Sequence, residues 1–229
     1  MRRLFAALAV ITSMATGATA QNATVVELYT SQGCSSCPPA DAMLKDLARR
    51  NDVIALALHV DYWDYIGWVD DLASPAYTER QRAFARAAGA RTVYTPQMVI
   101  GGVDHVIGAK GMELMEHVQA HNAAPDPVAV TLNRSGNTLS INAQARGLRD
   151  NLVVQLVRYQ PSVSRDIRRG ENAGRVIEYA NVVTSWQNIA NWNTASPLAL
   201  QASVSGSQPI VVIVQKGTNG PVMGAAQLR

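Results

Sequence analysis

Val53-Ile54-Ala55-Leu56-Ala57-Leu58 is an unbroken apolar run, the pattern of a strand buried on both faces. Val25-Val26-Glu27-Leu28-Tyr29 reads as an earlier strand, and between the two, Asp41 to Arg50 places Leu44, Leu47 and Ala48 on one helical face with Ala40. Strand, helix, strand in that order predicts a right-handed parallel unit. After an irregular aromatic stretch from Asp61 to Pro75, a helix is expected near Tyr77 to Ala88, stopped by Gly89. Thr95 to Val103 then reads as a strand running into a Gly101-Gly102 hairpin turn, followed by Asp104 to Gly108 and a last helix near Gly111 to Ala120. The order β, α, β, α, β, β, α makes residues 21–124 an α/β unit.

Beyond Pro125 the pattern changes to short alternating strands: Val128 to Leu132, Thr138 to Ala145, Leu152 to Tyr159, Arg175 to Val183 and Ile210 to Gln215. Gly, Asn, Ser and Pro separate them, and Asn122 to Pro127 is the candidate linker. Residues 125–229 are therefore expected to form a β-rich, sandwich-like extension.

Composition adds a compartment. Residues 1–20 carry two arginines, an apolar run from Leu4 to Ile11 and small residues ending at Ala20, the pattern of a cleaved leader. That run is too short for a membrane span, which needs about 20 apolar residues, so an exported, periplasmic or secreted protein is expected, not an integral membrane one after cleavage. Without Arg2 and Arg3, the 20 basic residues become 18 against 17 acidic ones. A charge so near zero argues against nucleic-acid binding.

Only two cysteines are present, Cys34 and Cys37, in Thr30-Ser31-Gln32-Gly33-Cys34-Ser35-Ser36-Cys37-Pro38-Pro39-Ala40-Asp41. An exported chain that uses a disulfide for stability joins distant segments, whereas a loop this short contributes roughly 2 kcal/mol before strain. A dithiol at a helix start has a chemical use: one sulfur attacks a disulfide as the thiolate and the other resolves the mixed disulfide. Pro38 and Pro39 lack backbone donors, which places the start of the regular helix near Pro38 and the dithiol in the turn before it.

Three segments, Val26-Glu27-Leu28-Tyr29 through Asp41, His59-Val60-Asp61-Tyr62-Trp63-Asp64-Tyr65-Ile66-Gly67-Trp68 and Val93-Tyr94-Thr95-Pro96-Gln97-Met98-Val99-Ile100-Gly101-Gly102, resemble the thioredoxin-like superfamily. More closely, they resemble a group of uncharacterised secreted bacterial proteins, a domain-of-unknown-function family on that fold. The resemblance implies a thioredoxin-like domain over 21–124. It also implies that Thr95-Pro96 is a cis-proline pair facing the dithiol, with Pro96 shaping a substrate groove. Thioredoxins carry Trp before the first cysteine, where Gly33 stands here. Glu27 is a candidate for their buried proton-relaying acid; the competing reading is a solvent-facing or salt-bridged strand carboxylate.

The expected activity is thiol–disulfide exchange, with Cys34 attacking, Cys37 resolving, and a protein or small thiol or disulfide as substrate. A redox partner protein is a possible companion, and no cofactor is called for. Trp63 and Trp68 are candidate substrate contacts beside Thr95, against the alternative of a packed loop. Two other classes stay open: copper or another soft metal on the same dithiol, or a recognition module with an inert disulfide. His59 reads as a hydrogen-bonded structural residue, His105 as exposed, and His117 and His121 as solvated. Arg165 to Arg169 reads as an exposed hairpin end.

Overall fold

The computed structural model describes residues 23–229, so the leader expected at 1–20 lies outside the described residues. The chain is a mixed α/β structure with a large, mostly β sheet and few helices. In the first half come β1 (Thr24–Thr30), α1 (Pro38–Leu47), β2 (Val53–His59), α2 (Pro75–Ala87), β3 (Gln97–Ile100), β4 (Asp104–Ile107) and α3 (Gly111–Ala123). β1 and β2 run parallel, and every residue of both is buried, as their apolar runs require. β3 and β4 form the hairpin, and Gly101 and Gly102 supply its turn with φ of 57° and 75°. Helix α2 starts at Pro75 behind Ser74, whose side chain accepts from the Ala76 amide.

The second half supplies β5 (Val128–Ser135), β6 (Thr138–Ala145), β7 (Leu152–Ile167), β8 (Arg175–Trp192), β9 (Leu198–Ser203), β10 (Ile210–Lys216) and β11 (Val222–Leu228). Strands from both halves share one eight-stranded sheet in the order β11-β10-β7-β8-β2-β1-β3-β4, so it crosses position 124. The junction is narrow: β8 pairs with β2 at Ala57 and Val182, and Asn181 Nδ2 donates to the Ala55 carbonyl at 2.8 Å. Asn181 adopts φ 49° there, opposite Pro161, which has no amide to offer.

Three cores result. One lies under α1 and α3 (Val26, Leu28, Ala40, Leu44, Leu114), and a second under α2 (Val25, Tyr29, Leu56, Phe84). A third fills a two-layer sandwich between β5-β6-β9 and the β7-β10 side of the large sheet. β7 and β8 extend well past their expected ends at Tyr159 and Val183, while β9 and β11 were not expected at all. Much of β8 beyond Val183 is exposed on both faces, and β9 alternates only between half-buried and exposed positions, so neither presents a strong hydrophobic pattern.

Candidate functional site

Chain leaving β1 makes two tight turns before α1. The Cys34 amide donates to the Ser31 carbonyl at 3.1 Å and the Cys37 amide to the Cys34 carbonyl at 3.2 Å. Cys34 and Cys37 are joined by a disulfide with their Cα atoms 5.4 Å apart. Cys37 caps α1, and the two prolines occupy its first positions, where no backbone donor is lost. The sulfur-bearing residues are 2% and 0% exposed, yet Ser35 and Ser36 between them are exposed. As a disulfide, neither sulfur offers the thiolate that a soft metal requires.

The predicted neighbours converge on this turn. Thr95-Pro96 is cis, and the Thr95 carbonyl accepts from Ser36 Oγ at 3.4 Å; the same hydroxyl lies 3.4 Å from Cys34 Sγ. Trp63 Nε1 donates to Thr95 Oγ1 and Trp68 Nε1 to Gln32 Oε1, both at 2.7 Å. Both indoles thus spend their donors on holding the loop, Trp63 against Thr95 and Trp68 against the turn. A Cβ at Gly33 would sit 3.2 Å from Trp63 Cβ and Ile66 Cδ1, which is why glycine precedes the first cysteine here.

Beneath the disulfide lies a buried polar group that spacing along the chain did not reveal. Asp41, one helical turn past Cys37, accepts from Thr30 Oγ1 at 2.8 Å through Oδ1, while its Oδ2 makes no hydrogen bond. Burial pushes its carboxyl from 3.8 up to about 7, with the nearby His59 partly offsetting the rise. His59 bonds through Nδ1 to Asp70 Oδ2 at 2.7 Å and meets the Tyr179 ring edge-on at 4.6 Å. His59 Nε2 and the Tyr179 hydroxyl are also buried without partners, and burial followed by the Asp41 charge drives the Tyr179 hydroxyl far above its ordinary range. Asp70 also receives the Gln32 amide and side chain at 2.8 and 2.7 Å, tying this group to the turn.

Glu27, the candidate relaying acid, does not join it. It lies on the α2 side of the sheet, where its oxygens receive Arg80 Nε and Nη2, each at 2.7 Å, and Tyr29 donates a third bond at 2.8 Å. The salt-bridged reading describes it.

The turn has a third wall, from the far half of the chain. β7 and β8 form a long hairpin whose tip reaches back: Asn172 Nδ2 donates to the carbonyls of Gln32 and Cys34, both at 2.9 Å. The Ser35 amide donates to Glu171 Oε2 at 3.3 Å, and a Cβ on Gly170 would meet Trp68 Cβ at 3.2 Å. Arg165, at the largely exposed hairpin end expected for Arg165 to Arg169, pairs with Asp71 at 2.8 Å. No sequence pattern announces these contacts, because they depend on β8 lying beside β2.

The family of proteins of unknown function DUF1223 matches residues 25–215. The chain belongs to the DUF1223 family. A crystal structure of a structural-genomics target protein from Agrobacterium tumefaciens is similar to this DUF1223 chain, with 32% identity over 91% of this chain and 96% of that one and a TM-score of 0.79. HBP35 of Porphyromonas gingivalis shares the fold alone, at 14% identity and TM-score 0.59 over 93% of this chain and 76% of that one. No curated protein matches the sequence.

The remaining histidines of this DUF1223 chain lie elsewhere. His105 is half-buried rather than exposed, and burial lowers its pKa. His121 Nε2 and His117 Nδ1 approach Asp104 Oδ2 at 2.8 and 3.4 Å, so they are partnered, not simply solvated. Among the described residues no group of three or more His, Cys, Asp or Glu is placed to hold a metal ion, and no helix is long and apolar enough to cross a membrane.

Proposed function

We propose that this protein is an exported thioredoxin-like thiol–disulfide exchange protein, with Cys34 and Cys37 as its working pair. The observation that carries the reading is the Cys34–Cys37 disulfide in the turn that caps α1, set against Thr95-Pro96 through Ser36. Once the pair is reduced, the Cys34 thiolate bonds to one sulfur of a substrate disulfide, whose S–S bond breaks and whose other sulfur leaves as a thiolate. Cys37 gives up its proton and attacks the Cys34 sulfur, re-forming Cys34–Cys37 and releasing the second substrate thiol. Two electrons pass from the pair to the substrate.

Asp41, rather than Glu27, is the acid suited to receive the Cys37 proton. It lies one turn along the same helix, has an oxygen without a partner, and titrates at about 7. On reduction the Ser36 hydroxyl turns its one proton from the Thr95 carbonyl to the Cys34 thiolate, 3.4 Å away. Trp63, Thr95 and Pro96 form one side of the groove, and Trp68 braces Gln32 behind it.

The test is trapping. Cys37→Ser, which retains the attacking sulfur, accumulates mixed disulfides with an oxidised peptide disulfide substrate, while Cys34→Ser accumulates none. Wild-type protein accelerates insulin reduction by dithiothreitol. No mixed disulfide in the first variant and no acceleration in the wild type would remove the exchange reading.

A further inference from the structure

Reduction of the pair places a negative charge on Cys34, and the residues around the turn decide how costly that charge is. Facing it are Asp41 on α1, His59 on β2, Asp70 and Asp71 on the following loop, and Arg165, Glu171 and Tyr179 on the β7–β8 hairpin. Arg165 is engaged: it bonds Asp71 through Nε at 2.9 Å and Nη2 at 2.8 Å, and the His59 ring is held by Asp70. Among the described residues, no lysine or arginine hydrogen-bonds to residues 33–37.

Backbone donors, which ordinarily lower a thiol pKa at a helix start, are diverted as well. The Cys37 amide goes to the Cys34 carbonyl, and the Ser35 amide, attached directly to the Cys34 carbonyl carbon, goes to the Glu171 carboxylate. Glu171 is exposed and would wander if nothing held it. Asn172 beside it is 1% exposed and fastened by two bonds to the carbonyls of Gln32 and Cys34, so the carboxylate is delivered to this one place.

We infer that Glu171, anchored by Asn172, is a positioning residue that disfavours the Cys34 thiolate and biases the pair toward the disulfide, making the reduced pair an electron donor to other disulfides. This direction rests on the exchange reading. The pair must then be re-reduced by a dithiol, whose two sulfurs become a disulfide as Cys34 and Cys37 become thiols. A thiol held protonated leaves less readily, so the bond it forms is the more stable one.

Charge variants at Glu171 test the inference directly, because this exposed side chain can change without disturbing the core. Thiolate absorbance against pH reads the Cys34 thiol, and equilibration with dithiothreitol reads the bond. Glu171→Gln raises the thiolate fraction at pH 7 about 2-fold to 3-fold and Glu171→Lys about 5-fold to 10-fold, with the equilibrium constant for reduction rising alongside. In 1 M salt, where the screening length is about 3 Å, most of the difference disappears. Glu171→Lys leaving both quantities unchanged would overturn the inference. Asn172→Ala abolishes the effect of Glu171→Gln; an undiminished effect in that background would remove the anchoring role. Both readouts concern the bond itself, so they remain decisive even if the trapping experiment fails.

Discussion

On the α2 side of the sheet Glu27 gives both oxygens to Arg80, whereas on the α1 side Asp41 has one bond from Thr30 and an oxygen with none. Both acids are almost fully buried, at 1% and 3% exposed. Arg80 is itself enclosed: its guanidinium lies 3.9 Å from the Trp186 ring centre and 5.0 Å from that of Phe84, and it also bonds Thr218 and Gln215. That side is a closed ion pair that ties β1, α2 and the second half together. The side beneath the disulfide leaves polar atoms unpartnered, and its acid is pushed toward the neutral form. Buried polar groups ordinarily complete their hydrogen bonds, so an incomplete set next to a disulfide is where proton transfer is to be sought.

The sharpest way to break this contrast is to open the closed side. Arg80→Leu strands Glu27 in the core and lowers stability by about 3 to 5 kcal/mol in urea unfolding, with the dithiothreitol equilibrium of the cysteine pair unchanged. A shift in that equilibrium would show that the two sides are coupled.

Asp41→Asn acts on the open side and is read through pH. Asp41 is raised from 3.8 to about 7 in the folded state, so its contribution is fully present below pH 3.8 and is lost as pH rises toward 7. The loss is on the order of 4 kcal/mol at most. Wild-type stability therefore falls across this window relative to Asp41→Asn, whose amide keeps the Thr30 bond and does not ionise. Resolution of mixed disulfides by Cys37 slows in the same variant and loses its titration near pH 7. Parallel stability curves for the two proteins would refute the raised carboxyl.

The smallest effect belongs to the wall of the site. Trp68→Phe removes the donor to buried Gln32 Oε1 and costs about 1 to 3 kcal/mol. A loss below that range would mean that water replaces the indole.

Local pattern carried the reading a long way where neighbours in space are neighbours in sequence. The buried runs of β1 and β2 and the Gly101-Gly102 hairpin formed where their residues indicate, and α1 began at Pro38 because two prolines are tolerated only at a helix start. The strands of the second half were harder. β8 carries its exposed residues on both faces beyond Val183, and a ribbon with two solvated faces has no alternation to detect.

What the sequence by itself determined is the placement of both sulfurs in one turn before a helix and the parallel unit around it, matters of spacing and backbone restriction, while Thr95-Pro96 facing the dithiol was implied by the resemblance to the thioredoxin-like superfamily. Tertiary structure decided which acid belongs to the site. Glu27 was the candidate acid in the sequence and Asp41 was not, but alternation along β1 turns Glu27 to the opposite face, where Arg80, 53 residues away, pairs with it. It also decided that Asn172, 138 residues from Cys34, and Glu171 beside it complete the site. The reason is the strand order: only when β8 docks beside β2 does the hairpin tip reach the cysteine turn, and that docking is a choice among sheet edges that no local pattern encodes.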